Sequence, residues 1–209
     1  MLKLYGNRES GHSYKVALCL SLLRQPYGYE EIDIFAPLEQ RGEDFRKANR
    51  YGEVPVLVED DQPIVQSNAI LLHLARTHDR FLGRTAEERF VIEEWLFWET
   101  SRLSIGVANL RFMYRFEKKP VAALVQHYAH RTTAALATLE GALAGRQTIV
   151  GTEISVADLS CCGYLYWLRE ARVDIDLYPN IRRWLDGISN APDWRPPGEI
   201  LGRTGTITP

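Results

Sequence analysis

Hydroxyl and imidazole side chains lie close together near the N-terminus, in the segment Ser10-Gly11-His12-Ser13-Tyr14-Lys15. The segment follows a short apolar run and leads into a helical pattern. Backbone N–H groups at a helix N-terminus are unpaired and carry the positive end of the helix dipole, so a hydroxyl there can help to stabilise a thiolate. His12 can titrate near neutral pH and could act as a base on a thiol. The alternatives are that Ser10 or Ser13 only caps the helix and that His12 is an exposed loop residue.

Two later segments have the groups needed to bind a peptide-like ligand. Gly52-Glu53-Val54-Pro55 precedes a strand, where a cis X-Pro bond would turn the Val54 amide and carbonyl outward. An ordinary trans proline at a strand edge is equally compatible with this pattern. Gln66-Ser67-Asn68 joins a strand to a helix, so the Ser67 hydroxyl and the first helical N–H groups could hold a carboxylate, with Gln66 beside them. The alternative for Ser67-Asn68 is a plain helix cap.

The elements that would position these segments follow from hydrophobic periodicity and turn residues. The predicted elements, in order, are a strand at Leu2–Tyr5, a helix from Tyr14 to Gln25-Pro26, a strand at Tyr29–Ile34, a polar helical or irregular segment at Pro37–Ala48, a hairpin of Val54–Glu59 and Pro63–Gln66, and a helix at Ala69–Thr77. The order β-α-β-α-β-β-α predicts an α/β thioredoxin-like domain over residues 1–80.

Strand patterns stop after residue 80, and helical periodicity takes over. Helices are predicted over residues 86–103, 121–143, 155–169 and 181–188. Ser155 and Asp158 have the spacing of a capping box at the start of the third of them. We therefore expect an all-α domain over residues 86–209, with the tail from Pro196 mobile or lying on the surface.

Composition excludes several classes of function. Lys and Arg number 25 against 27 Asp and Glu, so the formal charge of −2 gives no general field for binding nucleic acid or an anionic membrane. No apolar run has a membrane-spanning length and the N-terminus lacks a signal-peptide pattern, so a cytoplasmic location is expected. The three cysteines have neither disulfide-framework nor metal-ligand spacing, and Cys19 is predicted to be a buried apolar residue.

Taken together, these segments resemble the cytosolic glutathione transferase superfamily over nearly the whole chain. The resemblance rests on Leu4-Tyr5-Gly6-Asn7, Ser10, Asn49-Arg50-Tyr51-Gly52-Glu53-Val54-Pro55-Val56-Leu57, Gln66-Ser67-Asn68-Ala69-Ile70 and Ser155-Val156-Ala157-Asp158. The chain looks most like the bacterial enzymes related to the theta and nu classes, which use Ser or Thr as the catalytic hydroxyl. Ser10 occupies that position, and His12 stands where such enzymes often carry Asn, as a secondary catalytic candidate.

The resemblance also implies where glutathione, the cosubstrate, would bind. The positions assigned to it are Gln40, Glu53, Val54, Pro55, Gln66 and Ser67. Val54 would pair with the cysteinyl backbone before a cis Pro55, and Gln66 and Ser67 would hold the γ-glutamyl end. Gln40 and Glu53 would face the glycine end. Glu53 departs from the family's usual basic or amide residue, and its carboxylate would repel the glycine carboxylate unless Arg50 or Arg41 compensates.

The resemblance further implies a small hydrophobic electrophile, a homodimer and no metal. The electrophile is expected between the two domains, against Phe112, Tyr114, Phe116 and Trp167. The helix Ala86–Leu103, with Trp95, Phe97 and Trp98, would supply part of the dimer interface. Buried core is the competing interpretation for all of these aromatic residues.

Three other functions fit the same sequence. One is a disulfide reductase or peroxidase that uses two glutathione molecules, and another is a non-catalytic protein that binds glutathione on the same fold. The third is an isomerase or dehalogenase on this fold. The helices that would form the electrophile pocket contain no sequence motif that identifies the second substrate.

Overall fold

A computed structural model of the chain describes residues 1–202 and 204–207. The chain divides into two compact units, which we describe separately. The first contains residues 1–80 together with the described residues from Ala191 onward, and the second is Phe81–Asn190.

The first unit is built on a five-stranded mixed sheet. Its strands are β1 (Leu2–Gly6), β2 (Tyr27–Glu31), β3 (Val56–Glu59), β4 (Gln62–Val65) and β5 (Gly205–Ile207). Their order across the sheet is β4-β3-β1-β2-β5, in which β1 and β2 are parallel and every other neighbouring pair is antiparallel. The predicted thioredoxin-like sheet is confirmed.

Strand β2 lies earlier in the chain than the predicted Tyr29–Ile34. The register pairs Gly6 with Glu31, so β2 can pair no further once β1 ends. The next backbone amide, Ile32 N, donates to Gly6 O at 2.7 Å and closes the pair. Strand β3 begins at Val56, opposite Tyr5, because Pro55 has no N–H with which to extend the ladder.

Three helices accompany the sheet in the first 80 residues, namely α1 (Gly11–Leu22), α2 (Glu43–Ala48) and α3 (Ser67–His78). Helix α1 starts three residues before the predicted Tyr14, so His12 and Ser13 are helical as well. Helix α3 starts at Ser67, two residues before the predicted Ala69, and Gln66 is the residue that precedes it. The alternative interpretation of Ser67-Asn68 as a plain helix cap is therefore wrong, because Gln66 occupies the cap position.

The second unit is helical, as predicted, and consists of α4 (Ala86–Trp98), α5 (Ser104–Arg115), α6 (Ala122–Ala142), α7 (Val156–Cys162) and α8 (Pro179–Ser189). A π-helical turn, Glu99–Leu103, joins α4 to α5, a helix that the periodicity did not predict. The turn accompanies a buried polar contact, since the hydroxyls of Ser104 and Ser160 both donate to the Glu99 carboxylate. Helix α7 is shorter than predicted and is followed by a 3₁₀ turn, Leu165–Trp167.

The predicted capping box at the start of α7 is confirmed. Asp158 Oδ2 accepts hydrogen bonds from Ser155 N at 2.9 Å and Ser155 Oγ at 2.8 Å. Asp158 Oδ1 accepts from Ile149 N and Trp184 Nε1, both at 2.8 Å. One buried carboxylate thus joins three separate parts of the helical unit.

The C-terminal segment belongs to the same compact unit as the sheet. It contains the short helix α9 (Pro197–Ile200) and strand β5, which pairs with β2. Tyr14 Oη donates to Arg195 O at 3.0 Å, and Ser21 Oγ donates to Asp193 O at 2.7 Å. This grouping differs from the predicted helical domain of residues 86–209, because β-pairing between distant segments leaves no periodic signal in the sequence. Across the part of the chain that the structure describes, no helix combines the length and apolar content required to span a bilayer.

Candidate functional site

Ser10 lies directly before α1, as the N-cap of that helix. Its side chain is buried, and its Oγ accepts a hydrogen bond from Ser13 N at 3.1 Å. Ser13 Oγ in turn accepts from Asn7 N at 3.1 Å, which ties the cap to the end of β1. A serine hydroxyl both accepts and donates, so the cap bond leaves the Ser10 proton able to point at an anion beside the helix N-terminus. The capping interpretation of Ser10 is correct, and it is compatible with a chemical role.

The N-termini of α1 and α3 meet beside Ser10. His12 Nδ1 and Ser67 Oγ are 3.5 Å apart, which joins the first turns of the two helices. One turn further along α1, Lys15 Nζ donates to Asn68 Oδ1 at 2.8 Å. Lys15 is completely buried, which is rare for an ammonium group unless it is hydrogen-bonded. The two helix N-termini together favour an anionic ligand here.

Sequence reasoning did not single out the Lys15–Asn68 contact. The one available signal was a lysine immediately before the apolar run that starts at Val16, since a lysine on a buried helix face needs a polar partner. Periodicity could not identify that partner, which lies 53 residues away in the chain.

Gln66 and Glu53 form a side-chain pair at the same end of α3. Gln66 Nε2 donates to Glu53 Oε2 at 3.3 Å, and both residues are exposed. The backbone of Gln66 has φ +73°, a conformation that residues other than glycine seldom adopt and that is concentrated at ligand sites. Glu53 therefore lies beside Gln66, the residue expected at the γ-glutamyl end of a bound tripeptide.

The loop that carries Glu53 is fixed by Asn49 and Arg41. The buried Asn49 side chain donates to Glu53 O and accepts from Gly52 N at 3.0 Å. Arg41 Nη1 donates to Gly52 O at 2.7 Å, and its other nitrogens donate to carbonyls of residues 34 and 36. Arg50 lies over the ring of Tyr51 at 5.0 Å. The structure thus gives both arginines contacts other than the Glu53 carboxylate.

Val54, Pro55 and Gln40 complete the set of predicted ligand contacts in this unit. The Val54–Pro55 peptide bond is cis, as the resemblance implied. The Val54 side chain packs against the core cluster that includes Phe45 and Val56. Gln40 is exposed at the end of the 3₁₀ turn Leu38–Gln40, directly before Arg41. All eight predicted catalytic and glutathione-binding residues therefore belong to the first unit.

Three of the four residues predicted for the electrophile pocket cluster in the helical unit. The rings of Phe112 and Phe116 are 5.6 Å apart. The Arg111 guanidinium lies 5.5 Å from the ring centre of Phe116 and 4.8 Å from that of Trp167. Arg111 is itself buried and its Nε donates to Glu170 Oε2 at 2.7 Å. An arginine held between aromatic faces makes this cluster more polar than the aromatic residues alone suggested.

Tyr114 makes a different contact. The Arg172 guanidinium lies 4.1 Å from its ring centre. Among the described residues, no group of three His, Cys, Asp or Glu side chains is placed to hold a metal ion.

Two family models match the chain. One is described as the glutathione S-transferase N-terminal domain and matches residues 4–85. The other is described as the glutathione S-transferase C-terminal domain and matches residues 107–192. Each compact unit of the structure therefore contains residues that match a family model.

Individual proteins resemble the chain over almost its full length. The crystal structure of a glutathione S-transferase from Xanthobacter autotrophicus Py2 is 31% identical, covers 95% of this chain and 98% of its own, and has a TM-score of 0.86. The disulfide-bond oxidoreductase YfcG of Escherichia coli K12 is 25% identical, with 92% of each chain covered. Glutathione S-transferase F12 of Arabidopsis thaliana is also 25% identical, with 93% of this chain and 96% of its own covered.

Proposed function

The chain belongs to the glutathione S-transferase family, and within that family we propose that it is a serine-type transferase of the theta- and nu-related bacterial kind. In this proposal the protein binds glutathione and holds its sulfur as a thiolate beside Ser10. The thiolate then attacks a small hydrophobic electrophile.

The observation that carries the proposal is the position of the buried Ser10 hydroxyl at the N-terminus of α1. A thiol becomes nucleophilic when it loses its proton, and groups that stabilise the anion lower its pKa. The Ser10 proton and the positive end of the α1 dipole are such groups. His12, in the same turn, is a second candidate donor or base for the sulfur.

We propose the contacts to the rest of the tripeptide from the same unit of the structure. The first turn of α3, with Ser67, offers N–H groups and a hydroxyl to the γ-glutamyl carboxylate. The backbone of Val54, beside cis Pro55, offers an amide and a carbonyl to the cysteinyl residue. Gln40 is the proposed contact for the glycine end.

For the electrophile we propose the cluster of Phe112, Phe116 and Trp167, with Tyr114 as a neighbouring residue on α5. Attack would form a bond from sulfur to carbon, while the leaving group departs with its electron pair. Because Arg111 lies over two of the rings, the cluster suits an acceptor that combines an aromatic ring with electron-withdrawing groups.

One comparison favours a second candidate function. YfcG, which matches 92% of this chain, is described as a disulfide-bond oxidoreductase. In that reaction the thiolate would attack a disulfide, and a second glutathione would complete the exchange by releasing the product thiol and forming glutathione disulfide. A turnover rate on a small disulfide that exceeds the rate on chloronitrobenzenes would favour this candidate over conjugation.

The test compares wild type with Ser10→Ala and Ser10→Asp. Calorimetry would measure glutathione binding, and the ultraviolet absorbance of the bound thiolate against pH would give the thiol pKa. We expect Ser10→Ala to raise that pKa and slow conjugation by about 100-fold, the typical cost of removing one donor to a developing anion. It should also lower the free energy of unfolding by about 1 kcal/mol through loss of the cap.

Ser10→Asp separates the two roles. Aspartate caps a helix as well as serine does, so stability should stay near wild type. Its negative charge opposes a neighbouring thiolate, so the thiol pKa should rise at least as far as in Ser10→Ala. A thiol pKa that is unchanged in both variants would remove Ser10 from the mechanism.

A further inference from the structure

The contact between Glu53 and Gln66 suggests a role for Glu53 that differs from the one implied by family position. The resemblance places Glu53 at the glycine end of glutathione, where its charge would be unfavourable. In the structure its carboxylate is 3.3 Å from the side-chain amide of Gln66, directly before the first turn of α3. That turn is the proposed binding site for the γ-glutamyl end.

A γ-glutamyl group carries a carboxylate and an ammonium on the same carbon atom. A helix N-terminus with a hydroxyl satisfies the carboxylate, but it opposes the positive charge beside it. The ammonium is therefore best stabilised by a negatively charged hydrogen-bond acceptor next to that turn. Gln66 can offer only a neutral carbonyl, whereas Glu53 adds a full negative charge within hydrogen-bond distance of Gln66.

The loop backbone that carries Glu53 is fixed by side-chain contacts. Asn49 and Arg41 fix the backbone of the loop through Glu53 O and Gly52 O. The guanidinium of Arg41 donates to three backbone carbonyls. The left-handed backbone of Gln66 presents the amide that donates to Glu53.

We infer that Glu53 is the specificity-determining residue for the α-ammonium of a γ-glutamyl ligand, with Gln66 orienting its carboxylate. This inference rests on the proposed function, since it takes glutathione as the ligand. It assigns Glu53 to the opposite end of the tripeptide from the one that the resemblance implies, and it makes the carboxylate favourable for binding.

The experiment uses three ligands that differ in one charge each. They are glutathione, its deamino analogue glutaryl-cysteinyl-glycine, and glutathione with its glycine carboxylate converted to an amide. Calorimetry would compare wild type with the isosteric variant Glu53→Gln. The matched control is Glu39→Gln, which removes an exposed carboxylate from the neighbouring turn.

We expect wild type to bind glutathione about tenfold or more tightly than the deamino analogue, the usual range for a charge-assisted hydrogen bond. Glu53→Gln should lose that preference, because it weakens the binding of glutathione and leaves the binding of the deamino analogue unchanged. Glu39→Gln should keep the preference. The double variant Glu53→Gln, Gln66→Glu, which returns a carboxylate on the other side of the pair, should restore the preference.

Two results would overturn the inference, and they are distinguishable. If Glu53→Gln binds glutathione and the deamino analogue more tightly than wild type does, and leaves the glycine-amide ligand unchanged, then the carboxylate faces the glycine end. If wild type binds none of the three ligands at millimolar concentration, the proposed function fails and the assignment of Glu53 fails with it.

Discussion

At the scale of single residues, the first turn of α1 combines a structural and a chemical requirement in one side chain. The Ser10 hydroxyl accepts a hydrogen bond that stabilises the helix and keeps a proton for a ligand. Alanine would lose both properties and aspartate only one, which is why the two substitutions give different outcomes. A matched substitution is also used at Glu53, where Glu53→Gln removes the charge and keeps the shape of the side chain.

Cysteine reactivity gives a further prediction at this scale. Cys19, Cys161 and Cys162 are all buried, and burial raises the pKa of Cys19 to about 12. Since the thiolate is the reactive form, only about one Cys19 in 10⁴ is ionised at pH 8. We expect native protein to resist iodoacetamide at pH 8, whereas urea-unfolded protein incorporates three equivalents, counted by mass spectrometry.

Iodoacetamide labelling of the native protein should increase with pH. Labelling of the native protein should increase as the pH approaches the raised pKa of Cys19, because the thiolate fraction grows about tenfold per pH unit. Rapid labelling of one native thiol at pH 8 would contradict the structure. If the prediction holds, thiolate absorbance in binding experiments reports on glutathione and not on the protein.

At the scale of elements, two glycines provide a matched test of helix packing. A Cβ added at Gly106 in α5 would lie 2.9 Å from Thr132 N in α6, whereas one added at Gly141 in α6 would meet nothing within 4 Å. Gly106→Ala must therefore separate the two helices and should lower the free energy of unfolding by about 1–3 kcal/mol. Gly141→Ala should raise it by about 0.5–1 kcal/mol, since alanine favours a helix.

Urea denaturation of both variants would measure these changes. Equal and small effects at the two positions would mean that α5 and α6 lie further apart than the structure places them. Gly106 is also in the helix that periodicity did not predict, so this pair checks the least predictable part of the helical unit.

Asp158 provides a second test at this scale. Its carboxylate is the acceptor in four hydrogen bonds, whose donors belong to Ile149, Ser155 and Trp184. Asparagine has the same shape, but its NH₂ group would face donors and leave them unsatisfied. We expect Asp158→Asn to lower the free energy of unfolding by about 2–4 kcal/mol, because several buried donors lose their acceptor.

Thermal and urea unfolding would report the effect of Asp158→Asn. Ser155→Ala, which leaves the other donors to Asp158 in place, should cost about 1 kcal/mol and serves as the comparison. An Asp158→Asn variant within 0.5 kcal/mol of wild type would show that the carboxylate is not the centre of this network.

At the scale of the whole molecule, α4 carries two exposed phenylalanines on one face. Phe90 and Phe97 are 65% and 75% exposed in the single chain and are two helical turns apart. Exposed aromatic residues at this spacing are typical of a protein interface. We propose that this face, expected from the sequence to include Phe97, forms part of a homodimer contact.

Sedimentation velocity at micromolar concentration would test the dimer. We expect wild type to sediment at twice the chain mass of 23.9 kDa. Phe97→Lys should shift the population toward monomer, because it places a charge in an apolar contact. Leu177→Lys, at a side chain that is 72% exposed in the same unit, is the control and should leave the dimer unchanged. A wild-type monomer would exclude the proposal.

The sequence by itself determined the features that depend on neighbouring residues. The order of strands and helices in the first 80 residues, the cap at Ser10 and the capping box of Ser155 and Asp158 each follow from periodicity or from spacings of a few residues. A helix cap needs only a side chain and the next amides, so its signal is complete within one turn.

Only the tertiary structure decided which distant residues meet. The pairing of β5 with β2, the burial of Lys15 against Asn68 and the contact of Glu53 with Gln66 join segments that have no shared pattern in the chain. Each depends on how the chain closes on itself, since a polar residue can be satisfied by any suitable partner that folding brings near. The fold brings Gln66 next to Glu53, and the residue types alone did not predict this contact. We assign Glu53 to the γ-glutamyl end of the ligand because of that contact.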